Sequence, residues 1–140
     1  MIDRMPTLVT GATGVVGPPL VRALLERGDS VRIFVREDST VAQMEDAVEV
    51  VRGDIVDSAS VSEAVSGCTR IFHLAGHFDS WAPNPRMFFD VNVGGTVNVL
   101  EAALKHDVEM VVHASSASTI GEQKGEMGSE ATEHRGYFLT

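Results

Sequence analysis

Three glycines at intervals of three, Gly11, Gly14 and Gly17, follow directly on the short apolar run Thr7 to Thr10 in "TLVTGATGVVGPPLV". A backbone stripped of side chains at the end of a strand can turn sharply, and it can approach a bulky anion through its amides. If a helix follows, its unpaired N–H groups and positive dipole end point at the same place, which is the arrangement that holds a phosphate. Taken alone, the triplet also fits a plain strand-to-helix turn. His73 and His77 are four apart, but one ends a strand pattern and the other lies in a loop, so they would not share a helix face. With no acidic partner at motif spacing they do not read as a metal pair, and no metal is expected.

The composition narrows the setting. The 140 residues are about one domain in length, with a hydrophobic share of 44% and a charged share of 22%, as in globular proteins. Eleven basic residues stand against 20 acidic ones for a formal charge of -9, and the basic ones are scattered singly. Nucleic-acid binding by counterion release has little to work with, and attraction to an anionic membrane is weakened. A phosphate-bearing small molecule is still compatible, because a local pocket of positive potential suffices for it. Cys68 is the lone cysteine, so no intrachain disulfide is expected. The N-terminus has no signal-peptide pattern, and glycines, prolines and Arg22 interrupt residues 5 to 25 too often for a lipid-spanning helix. A cytoplasmic location is the default expectation.

The elements that would position the glycines alternate regularly. "TLVT" (7–10), "SVRIFV" (30–35), "VEVVRG" (48–53), "RIFHLA" (70–75) and "EMVVHAS" (109–115) read as strands. Between them the pattern predicts a helix over 15–27, closed by Gly28, and a second over 58–65, capped by Asp57 or Ser58 and ended by Gly67. A long one over 86–105 carries Phe89, Val93, Val97, Leu100 and Leu104 at spacings of three or four. Pro18 is harmless in a first turn, whereas Pro19 would cost a hydrogen bond if that helix began at Val15. The alternation predicts an α/β fold, a Rossmann-type doubly wound parallel sheet of order 3-2-1-4-5, with the glycine loop at the point where the strand order reverses. Residues 1–140 read as one dinucleotide-binding domain. The polar, glycine-bearing stretch after Ser116 reads as a long loop.

Five segments in the expected order carry a family resemblance. "TGATGVVG" resembles the TGxxGxxG signature of short-chain dehydrogenases/reductases of the extended, NAD-dependent epimerase/dehydratase type. "GDIVD" (53–57), "FHLAG" (72–76), "VNVGGTVNVLEAA" (91–103) and "ASSASTIG" (114–121) resemble its later motifs. The resemblance implies that Gly11, Thr13, Gly14, Val15, Val16 and Gly17 cradle a dinucleotide, that Asp54 touches the adenine while Ile55 packs on it, and that Leu74, Ala75 and Gly76 pass beside the ribose. It makes Asn92 a structural asparagine at the cofactor site. It also implies that Ser116 is the active-site serine, with Ser115 its neighbour.

By the same resemblance Tyr137, in "YFLT", stands as the first letter of a YxxSK motif whose lysine would follow Thr140. The chain then reads as the N-terminal portion of an enzyme, truncated before the later strands and the substrate-binding lobe. Tyrosine's ordinary pKa of about 10 must fall by about 3 units for it to act as a base near neutrality, and a neighbouring ammonium would supply much of that shift. "HFDSWAPNP" (77–85) resembles a loop of the dihydroflavonol-reductase-like and hopanoid-associated epimerase-like members, where Trp81 would border the substrate or simply pack on its neighbours.

About 20 residues past a glycine loop of this type, an acidic group suits the ribose of NAD and an arginine suits the 2'-phosphate of NADP. Arg36 stands there and favours NADP over NAD, whereas Glu37 and Asp38 follow at once, so that a shift of one residue would reverse the choice. The expected activity is that of an NAD(P)-dependent oxidoreductase or epimerase/dehydratase acting on a hydroxyl or carbonyl of a small-molecule substrate. A non-catalytic NADP sensor on the same fold is the alternative. A homodimer stays open, and neither nucleic acid nor membrane is expected as a partner.

Overall fold

The computed structural model describes residues 5–41, 44, 46–78, 84–120, 125 and 127–133. Five strands, β1 (Thr7–Thr10), β2 (Val31–Val35), β3 (Glu49–Arg52), β4 (Arg70–His73) and β5 (Met110–His113), form one parallel sheet of order β3-β2-β1-β4-β5, the order expected. β1 is central and buried along its whole length. Its side chains alternate between the two faces: Leu8 joins a core with Phe34, Val61, Ile71 and Val99, while Val9 joins another with Val21, Leu24, Ile33 and Val35. Helix α1 (Gly17–Glu26) covers the second face, and α2 (Ser58–Val65) and α4 (Gly95–Lys105) cover the first.

Helix α1 begins two residues later than its apolar pattern suggests. Val15 and Val16 are exposed, and the first helical hydrogen bond runs from the Leu20 amide to the Val16 carbonyl at 3.2 Å. Pro18 and Pro19 therefore fall in the first turn, where their missing N–H groups forfeit nothing. Asp57 is the cap of α2, accepting the Ala59 amide at 3.0 Å, and Gly67 leaves that helix at φ +74°.

The third helical segment is continuous but not uniform. It starts as α3 (Arg86–Phe89), widens into a π turn over Asp90–Gly94 and continues as α4. Its apolar stripe is not its buried face: Phe89, Val93, Val97, Leu100 and Leu104 are all exposed, from 44% at Leu100 to 82% at Leu104. The buried positions are Gly95, Val99, Ala102 and Ala103, because small residues let this helix lie close against α2 and the β3–α2 loop. A methyl at Gly95 would stand 2.9 Å from Ile55 Cγ1.

Candidate functional site

The carboxyl ends of β1, β2, β4 and β5 are brought side by side by the register, with Thr10 opposite Phe34 and His73, and His73 opposite His113. The glycine loop leaves β1 between β2 and β4, where the chain connections diverge to the two halves of the sheet.

Each glycine of the loop has its own requirement. Gly11 has φ +69°, and a Cβ there would lie 2.6 to 2.8 Å from the Leu74 and Ala75 backbone. Gly17 begins α1 so close to the loop that a Cβ would lie 2.3 Å from the Ala12 carbonyl oxygen. Gly14 closes the turn by donating its amide to the Gly11 carbonyl at 3.1 Å, but a Cβ on it would meet only that same oxygen, at 3.3 Å. The protein itself thus accounts for Gly11 and Gly17, while Gly14 is exposed and a Cβ there would meet the Gly11 oxygen alone. Thr13, Gly14, Val15 and Val16 are all exposed, and no acidic residue sits in the first turn of α1 to compensate its dipole.

Around this loop lie the other residues the sequence singles out. Arg36 leaves the tip of β2 with its guanidinium in solvent, its Nε 3.5 Å from Asp38 Oδ1. Arg52, at the end of β3, donates from Nη1 to the carbonyls of Arg36, Glu37 and Ser39 at 3.0 to 3.2 Å and so holds the turn that carries Arg36. Asp54 is exposed, and its carboxylate accepts the Val56 amide at 3.1 Å. The Ile55 carbonyl accepts Asn98 Nδ2 at 3.0 Å, which ties this loop to α4.

The exit of β4 is held from two sides. The Leu74 amide donates to the Thr10 carbonyl and the Ala75 amide to Thr10 Oγ1, each at 3.2 Å. Asn92, in the π turn, receives the His77 amide on Oδ1 at 2.7 Å and donates Nδ2 to the His77 carbonyl at 2.8 Å. Gly76 lies between, with a Cβ position 3.4 Å from Asn92 Oδ1.

His73 is buried, hydrogen-bonded to Thr10 Oγ1 at 2.7 Å and to Thr96 Oγ1 at 3.0 Å, and stacked on His113 with ring centroids 5.1 Å apart. Burial first and His113 second push its pKa down to about 4, so the ring is neutral near pH 7. Among the described residues no group of three His, Cys, Asp or Glu converges as a metal would need. No helix among them is long and apolar enough to cross a membrane.

Ser116 lies exposed beyond β5, its carbonyl accepting the Thr119 amide at 3.0 Å and the Thr119 hydroxyl at 2.7 Å at a single 3-10 turn, Ala117–Thr119. Tyr137 and Trp81 lie outside the described residues.

A family model described as the NAD dependent epimerase/dehydratase family matches residues 7–137. The chain belongs to that family. Among curated relatives of this epimerase/dehydratase domain, sterol demethylase protein B of Methylococcus capsulatus is 44% identical over 118 residues, covering 84% of this chain and 36% of that protein. The crystal structure of gox2253 superposes with a TM-score of 0.82 at 36% identity, over 92% of this chain and 40% of that one. UDP-glucose 4-epimerase of Thermus thermophilus, solved in complex with NAD, gives 0.79 at 29% identity, over 94% and 44%. The chain spans about a third of the length of the curated relatives it matches.

Within the epimerase/dehydratase frame, the structure gathers Gly11 to Gly17, Arg36, Asp54, Ile55, Leu74 to Gly76, Asn92 and Ser116 at the carboxyl edge of one sheet. Sequence reasoning missed Thr10, Thr96, Asn98 and Arg52, and it weighed His73 only as a metal ligand. Their partners are far away along the chain, and only Thr10, flush against the glycine loop, carries a local signal.

Proposed function

We propose that this chain is the dinucleotide-binding part of an NAD(P)-dependent oxidoreductase or epimerase/dehydratase that acts on a hydroxyl or carbonyl carbon of a small molecule. The observation that carries the reading is the glycine loop. Its two outer glycines are demanded by protein contacts, whereas the middle one is bare toward solvent beside an uncompensated helix N-terminus. Exposed amides on an open surface at that dipole end fit a diphosphate. Ile55, half-buried against Gly95, offers an apolar surface for an adenine, and the Leu74–Gly76 segment lies beside the loop for a ribose.

Bound there, the nicotinamide group would accept or return a hydride at the substrate carbon. Two residues of this chain act at the substrate oxygen. Ser116 hydrogen-bonds the substrate oxygen, and Tyr137 moves the proton at that oxygen. Arg36, an exposed cation just beyond β2, the strand beside the glycine loop, supports NADP, while the T. thermophilus relative was solved with NAD. The exposed Arg36–Asp38 pair is weak and exchanges readily for a phosphate partner.

A crystal structure of the full-length protein with bound dinucleotide tests the reading. The diphosphate is expected within hydrogen-bond distance of the amides between Thr13 and Gly17; a diphosphate lodged elsewhere would overturn the assignment.

A further inference from the structure

His73 sits where a single directed chain of hydrogen bonds can be followed from one end of the β4 exit to the other. The Thr96 hydroxyl donates to the Asn92 carbonyl at 2.7 Å, which commits its proton. Its oxygen can then only accept from His73, 3.0 Å away, so Nε2 carries the hydrogen. Nδ1 is left as an acceptor and takes the Thr10 hydroxyl at 2.7 Å, and the Thr10 oxygen in turn takes the Ala75 amide at 3.2 Å. The opposite tautomer would press two donors onto Thr10, with no acceptor for its own proton among the described contacts, and would turn the Thr96 hydroxyl away from the Asn92 carbonyl 2.7 Å from it. Thr10 and His73 are each 1% exposed, so water does not substitute for a lost bond at either.

Both ends of this chain grip the same short segment. Thr10 holds Ala75, and Asn92, whose carbonyl ends the chain, clasps the amide and carbonyl of His77. Leu74 and Ala75 are the backbone against which Gly11 packs with no room for a methyl, so a shift of this segment displaces the glycine loop as well.

From this geometry we propose that His73, as a neutral Nε2–H imidazole, is a positioning residue for the dinucleotide, setting residues 74–77 against the glycine loop. The inference rests on the dinucleotide reading above. It assigns to the histidine no contact with the ligand and no part in proton transfer.

The test uses the full-length protein and two variants, with NAD and NADP as probes in calorimetry. His73→Phe keeps a ring but makes neither bond, and Thr96→Val leaves the ring in place but removes the distal acceptor together with the hydroxyl bond to the Asn92 carbonyl. Dissociation constants are expected to rise about tenfold in the first and about threefold in the second, the scale of one or two lost hydrogen bonds. Nitrogen-15 NMR of the wild-type imidazole is expected to find Nε2 protonated and Nδ1 bare at neutral pH. Affinities within twofold of wild type in both variants, or an Nδ1–H ring, would overturn the proposal. If His73→Phe fails to fold, Thr96→Val and the tautomer decide it. Failure of the wild-type protein to bind either dinucleotide would instead remove the functional reading, and the tautomer measurement would still judge the hydrogen-bond chain.

Discussion

Gly17 and Ala12 stand so close that a Cβ on the glycine would lie 2.4 Å from the alanine carbonyl carbon and 2.6 Å from its Cα. Helix α1 is thereby pressed against the loop that precedes it, and the neighbouring atoms are backbone, which cannot swing aside. Gly17→Ala should lower the unfolding free energy by about 2–4 kcal/mol through overpacking, read from the urea midpoint. A loss under 0.5 kcal/mol, roughly the noise of a surface substitution, would mean that the helix backs away freely.

Stability should also fall with acid through His73. Its folded pKa of about 4 lies below the ordinary value of 6.5, so the folded state favours the neutral ring. The contribution is full above pH 6.5 and is lost as pH falls toward 4, since between the two only the unfolded chain takes the proton. The total is about 3 kcal/mol at most, and His113, stacked on the ring, is the neighbouring titratable group. His73→Phe should flatten that part of the profile; an unchanged slope would assign it to other groups.

Arg36→Asp should move preference from NADP toward NAD by about tenfold or more in the ratio of dissociation constants, because a 2'-phosphate loses a cation and meets a carboxylate. The Arg52 bonds to the Arg36, Glu37 and Ser39 carbonyls use only backbone oxygens, so the turn itself should persist. An unaltered ratio would dismiss the arginine as a determinant.

In the full-length protein Tyr137→Phe should reduce turnover by roughly 10²–10⁴, the usual worth of a positioned proton-transfer group, with cofactor affinity nearly unchanged. Turnover within about fivefold of wild type would assign the proton to another residue.

The parts of this fold legible in the sequence are those that depend on neighbours along the chain. The β-branched runs, the capping Asp57 and the stop at Gly67 all stand where the pattern puts them, and the sheet order followed from the alternation. The buried face of α4 was not legible, since Gly95, Ala102 and Ala103 are too small to mark a stripe. The visible stripe of Phe89, Val93, Val97, Leu100 and Leu104 faces outward. The start of α1 was blurred for a related reason, because Val15 and Val16 continue the helical pattern and instead stand exposed ahead of its first turn. At the site, the glycine spacing announced itself, but the partners of His73 lie 63 and 23 residues away, and only the folded chain brings them together.

The glycine loop is tested most directly by titrating NADP and NAD into the full-length protein and its Gly14→Val variant by calorimetry, with urea midpoints measured alongside. A Cβ at Gly14 meets only the Gly11 oxygen at 3.3 Å, so the fold should tolerate the change to within about 1 kcal/mol. Its side chain would nonetheless fill the space where a diphosphate meets the amides. One saturable site in the wild type and at least about tenfold weaker binding in the variant, equivalent to about 1.4 kcal/mol, is the expected result. Equal affinity in the two proteins would contradict it.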